Sequence, residues 1–168
     1  MTKSLKPNYE ALQQLVRVLR KVAKTEPPGR FQMDVFYHHN TANHSKVAGM
    51  SDATISRTPV HKLFTTNCGT SACVAGWAAS DPWFIKRGLQ LEVASIYGDQ
   101  ISAMPTYKKS TMFSALELFF RIDDNTATYI FGGSKTGKAA RAARRVEYAI
   151  KVLQAGEDTQ NLYRAPWR

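Results

Sequence analysis

At 168 residues, with 43% apolar content and seven prolines, the chain has the size and composition of one globular domain with its own hydrophobic core. No apolar run approaches membrane-spanning length, and Met1–Asn8 lacks the apolar stretch of a signal peptide, so the sequence reads as a soluble, cytoplasmic protein with no membrane role. Two cysteines are too few for a disulfide framework, and a formal net charge of +10 points toward an anionic partner.

Taken in order, the first element is an amphipathic helix. Leu12, Leu15, Val16, Leu19, Val22 and Ala23 recur at helical spacing, Asn8 is placed to cap the start, and Pro27-Pro28-Gly29 stops it. Phe31 to Tyr37 fits a strand or a short helix. Thr41 to Lys62 is polar, contains Gly49 and Pro59, and has no sustained period, so a long loop is expected there. A helix is predicted from near Thr70 to about Ser80, and Asp81-Pro82 opens a new turn or helix through Lys86. Leu89 to Tyr107 has the pattern of a hairpin. Leu91, Val93, Ser95 and Tyr97 alternate with polar or small neighbours, and Gly98-Asp99 supplies the turn. Thr111 to Arg121 is expected to be helical, with Asp123 or Asp124 capping a further short helix through Phe131. Ala139, Ala142, Ala143, Val146, Ala149, Ile150 and Leu153 form the stripe of a last helix, which Gly156 ends. Residues 157–168 read as a C-terminal tail. The fold class that follows is α+β: a mainly helical single domain, residues 1–168, with a small β-hairpin, built around Thr70–Ser80.

The charge is concentrated in two of these helices. Residues 1–24 hold six basic residues and one acidic, and residues 134–151 again hold six and one, so the two segments carry the whole excess of +10. Their apolar stripes turn the charges outward. The candidate nucleic-acid-binding residues are therefore Arg17, Arg20, Lys21 and Lys24 in the first segment and Lys135, Lys138, Arg141, Arg144, Arg145 and Lys151 in the second. Tyr148, Tyr163 and Trp167 are available beside the second set for stacking on bases. A solvated helix face is the bland reading of the same pattern.

Asn67 to Ala79 is the most unusual stretch: it holds both cysteines, and small residues fill nearly every position except Val74 and Trp77. A helix so poor in side-chain bulk is useful where another backbone must come close. Cys73 shares a face with Gly76 and Trp77 and is expected to be a buried, structural thiol. Cys68 is the candidate nucleophile of a cysteine-dependent hydrolase, but His38, His39, His44 and His61 all precede it, which excludes the papain order. Only 29 residues separate His38 from Cys68, and neither base nor orienting group can be named. Zinc ligation by the two cysteines and two histidines lacks a second clear ligand pair, so no metal or other cofactor is expected. Gly132 to Lys138 has the spacing of a phosphate-binding P-loop, but Ala139 stands where magnesium coordination needs serine or threonine, and the required preceding strand is doubtful.

The signature Cys68-Gly69-Thr70-x-x-Cys73-Val74-Ala75-Gly76-Trp77-Ala78 resembles one carried by a family of small phage and bacterial proteins with no assigned activity. The order of elements is similar too: a leading amphipathic helix, an aromatic segment, the Cys-Gly-Thr helix, a variable region and closing helices. The resemblance implies a phage-type accessory protein, acting in the host cytoplasm, and supplies no catalytic residues. Together, resemblance and charge lead to the expectation of a binding protein for a phosphate-rich partner, nucleic acid or nucleotide. An inhibitor or adaptor bound to an acidic host protein surface is the alternative, with the cysteine hydrolase third.

Overall fold

In the computed structural model, the described residues are 6–25, 31, 37–40, 50–58, 60, 70–97, 100–132 and 138–164. The leading helix, α1 (Tyr9–Thr25), starts where its cap residue predicts. The Asn8 carboxamide oxygen accepts from the Ala11 N–H at 3.2 Å, and its amide nitrogen donates to the Phe119 carbonyl at 3.3 Å. The cap therefore also pins α1 to a helix more than a hundred residues away.

Next come β1 (Tyr37–Asn40), α2 (Asp52–Arg57), β2 (Thr70–Ala72), α3 (Val74–Ser80) and α4 (Pro82–Ile85). They are followed by β3 (Gln90–Tyr97), β4 (Gln100–Tyr107), β5 (Ser110–Thr111), α5 (Met112–Phe120), α6 (Asp124–Phe131), α7 (Ala139–Ala155) and a 3₁₀ helix at Thr159–Arg164. The chain is a mainly helical α+β protein. Its hairpin, β3–β4, forms one end of a larger antiparallel sheet of order β2-β1-β4-β3, with β5 also paired to β4. Among the described residues no helix is long and apolar enough to cross a membrane.

Four local expectations change. Thr70–Ala72 is a strand rather than the first turn of a helix, because β1 pairs with it (Tyr37 opposite Ala72, His39 opposite Thr70) and satisfies its backbone. Helix α3 begins only after Cys73, whose extended backbone makes it the N-cap. Within the stretch read as a long loop, Asp52–Arg57 is helical: Ser51 caps it, and Ile55 and Val60 are buried. A helix of six residues is too short to show a period. In β3 the alternation breaks at a bulge between Val93 and Ser95, where Ala94 has no partner in β4. The bulge reverses the facing of the residues beyond it. Ile96 packs against the core, while Tyr97 is 85% exposed. Finally, part of the supposed tail is tied down. Leu162 is fully buried, the Thr159 hydroxyl donates to Asp123 at 2.8 Å, and the Tyr163 hydroxyl donates to the Asn125 carbonyl at 3.2 Å. The Gly98-Asp99 turn, residues 41–49 and Trp167 lie outside the described residues.

The reason for the small residues of α3 is now evident. Val74 to Ala79 are all buried, and the helix is flanked by α1, α4, α6 and strands β3 and β4. A helix enclosed on several sides can be approached closely only if its side chains are short. Beside it, the rings of Phe84, Phe119, Phe120 and Phe131 pack in a continuous tilted and edge-on chain.

Candidate polyanion interface

Helices α1 and α7 pack side by side with their apolar stripes turned inward; Leu12, Leu15 and Leu19 are buried on one, Val146, Ala149 and Ile150 on the other. They run antiparallel. The Arg20 guanidinium meets the Glu147 carboxylate at 2.5 Å, and Arg17 and Gln13, earlier in α1, line a groove with Lys151 and Gln154, later in α7. The groove has a volume of about 450 Å³ and a floor of Val16 and Ile150.

Helical geometry extends this pairing into a strip. Residues at i, i+3 and i+7 share one face, which aligns Arg17, Arg20 and Lys24 on α1 and Arg144, Glu147 and Lys151 on α7. Continuing the antiparallel register by one turn brings Lys24 and Arg144 to the end opposite Gln13 and Gln154. Arg17, Arg20, Lys24, Arg144 and Lys151 are all exposed. Lys21 and Arg141 are exposed on the outer flanks of the same two helices, and Lys138 is exposed as the N-cap of α7. Lys135 lies outside the described residues.

Arg145 departs from the expectation that every cation of α7 points outward. It is half-buried; its guanidinium donates to the Gly132 carbonyl at 2.6 Å and lies 5.1 Å from the centre of the Tyr129 ring. Burial lowers its pKa below the ordinary arginine value, and the nearby Tyr129 and Tyr163 oppose that shift. The side chain ties the end of α6 to α7, where the helix dipole favours a cation at the last carbonyls. Gly132 is itself required at that point, since a Cβ there would sit 2.6 Å from the Thr128 carbonyl oxygen.

The aromatic candidates are likewise engaged. Tyr163 packs edge-on against Tyr129 at 5.8 Å, and Tyr148 lies 6.4 Å from the same ring. Those contacts hold the 3₁₀ helix against α6 and α7.

The chemical alternatives fare as follows. Cys68 lies outside the described residues. Cys73 is 1% exposed in the core, and among the described residues no three His, Cys, Asp or Glu side chains converge as metal ligands do. The segment leading into the glycine loop is helix α6, where a P-loop needs a strand, and residues 133–137 are outside the described part. Three residues of the strip and groove escaped the sequence reading: Glu147, Gln13 and Gln154. Their one sequence signal is position, since each lies in the row of the cations beside it.

No protein-family model, no curated protein and no solved structure matches the chain.

Proposed function

We propose that the α1–α7 face is a binding surface for a phosphate-rich polymer, nucleic acid above all, and that the protein acts by binding. One observation carries this reading: the helices at the core of the two charge-rich segments, each with four basic residues and one acidic, lie against each other, with five exposed cations along their common strip. Apolar burial on the opposite face of each helix sets the orientation, so the charges stay together in water. From Arg17 to Lys24 the row spans ~10 Å at 1.5 Å per residue, and the α7 row matches it. That length spans more than one backbone phosphate, which favours a polymer over a single nucleotide.

Contacts of this kind position a nucleic acid without reading its sequence. Affinity is then expected to be salt-sensitive and little affected by base composition. On the Cys-Gly-Thr resemblance, such a module belongs to a phage-type accessory protein working in the host cytoplasm.

Lysine acetylation with and without a DNA duplex tests the surface. Lys24 and Lys151 should be protected by the duplex, whereas Lys108 and Lys109, exposed in the turn between β4 and β5, should label equally in both states. Unchanged labelling of Lys24 and Lys151 under saturating duplex would remove the strip from consideration and turn attention to an acidic protein partner.

A further inference from the structure

Within the strip, one side chain has the opposite sign. Glu147 occupies the middle position of the α7 row, between Arg144 and Lys151, and its carboxylate engages Arg20 across the interface at 2.5 Å. Among the described residues this is the strip's one ion pair. It removes one of the five cations from service and places a negative charge where a phosphate would otherwise sit.

The pair is not needed to hold the helices together. Side-chain exposure is 64% for Arg20 and 32% for Glu147, so water competes for both groups, and exposed pairs of this kind contribute little to folding. The α1–α7 contact is already supplied by buried apolar residues on both helices. What the carboxylate does change is the electrostatics of the surface. It occupies Arg20 when no ligand is present, and it repels any anion that settles between Arg17 and Lys151.

Building on the polyanion reading above, we propose that Glu147 is a built-in competitor for phosphate that sets the affinity threshold of the strip. Binding exchanges partners. The Arg20 guanidinium leaves the Glu147 carboxylate for a backbone phosphate, and the freed carboxylate turns to water. A single phosphate, with one contact to offer, competes poorly against a carboxylate already in place. A polymer makes the exchange while its neighbouring phosphates are held by Arg17, Lys24, Arg144 and Lys151. Glu147 thus biases the surface toward densely charged polymers.

The test is fluorescence anisotropy with a short labelled DNA duplex across a salt series, using the wild type, Glu147→Gln and Glu92→Gln. Glu92 is an exposed carboxylate on β3, so its variant controls for net charge alone. Glu147→Gln should bind about three- to fivefold more tightly, the range that loss of one exposed ion pair allows. The slope of its log–log salt dependence should stay at the wild-type value, because Arg20 meets a phosphate in both complexes. Its melting temperature should stay at the wild-type value. Three results would overturn the proposal: unchanged or weaker binding by Glu147→Gln, an equal gain from Glu92→Gln, or a lower melting temperature in Glu147→Gln that marks the pair as structural. If the wild type and Glu147→Gln both fail to bind at low salt, the polyanion reading itself falls.

Discussion

Arg144 and Arg145 adjoin in sequence, yet they sit about 100° apart around α7 and are expected to behave in opposite ways. Replacing Arg145 with alanine removes the hydrogen bond to the Gly132 carbonyl, made at 2.6 Å by a charged donor. Such a bond contributes about 1.5–3 kcal/mol. The contact with the Tyr129 ring adds about 0.5–1 kcal/mol. Against these stands the relief of taking a half-buried guanidinium out of a poorly solvated place, the same burial that lowers its pKa. The net loss should be about 2 kcal/mol, or about 4–8 °C in melting temperature for a domain of this size. Arg144→Ala, at an exposed site with no such tie, should melt within about 1 °C of the wild type and weaken duplex binding. Thermal melts followed by circular dichroism, with anisotropy titrations on the same preparations, separate the two roles. If Arg145→Ala melts like the wild type but loses binding, the guanidinium belongs to the interface and its structural assignment is wrong.

Arg121 ends α5 in the left-handed conformation, with φ 53° and ψ 49°, where a side chain is strained. Arg121→Gly should stabilise the fold by about 1 kcal/mol, read as a higher urea midpoint; a lower midpoint would mean that the arginine makes a contact worth more than its strain. Cys73→Ser places a hydroxyl in the core but at the N-cap of α3, where it can accept a helix N–H. The cost should stay under about 1 kcal/mol, and a loss beyond about 2 kcal/mol would show that the sulfur itself is required. For Asp123, burial disfavours the charged form, but hydrogen bonds from Thr126 and Thr159 outweigh it and hold the carboxyl below its ordinary range. A lowered folded-state pKa means that this stabilisation is present above about pH 4 and lost as pH falls through the folded value. Asp123→Ala should therefore cost about 1 kcal/mol at neutral pH, and its deficit relative to the wild type should shrink below pH ~4. A deficit independent of pH would assign the loss to packing.

What could be read from the chain was what is decided locally. Asn8, Asp123 and Gly156 sit at the caps of α1, α6 and α7, and the apolar stripes of the two long helices specify their buried faces without help from elsewhere. Strand β2 was hidden because its pairing with β1 spans some thirty residues, and nothing in Thr70-Ser71-Ala72 announces it. Helix α2 was hidden by its length. The bulge at Ala94 breaks the alternation of Leu91, Val93, Ser95 and Tyr97 midway along the hairpin, and nothing local in β3 marks it. For the interface, composition named the cations but not their arrangement. That α1 and α7 adjoin is a long-range fact, as the 127 residues between Arg20 and Glu147 make plain. The fate of Arg145 depends on Gly132 and Tyr129, which no helical wheel of α7 contains.

The most direct measurement is the affinity of a DNA duplex for the wild type and for the triple variant Arg17→Glu, Arg144→Glu, Lys151→Glu, taken over a range of salt concentrations. All three substitutions fall at exposed positions, so the variant should keep the wild-type circular dichroism spectrum. For the wild type, log affinity should fall linearly with log salt, with a slope of about −0.9 for each phosphate neutralised. The triple variant should lose binding at every salt concentration. Wild-type binding that survives the charge reversal, or that ignores salt, would contradict the assignment of the α1–α7 strip as a polyanion interface.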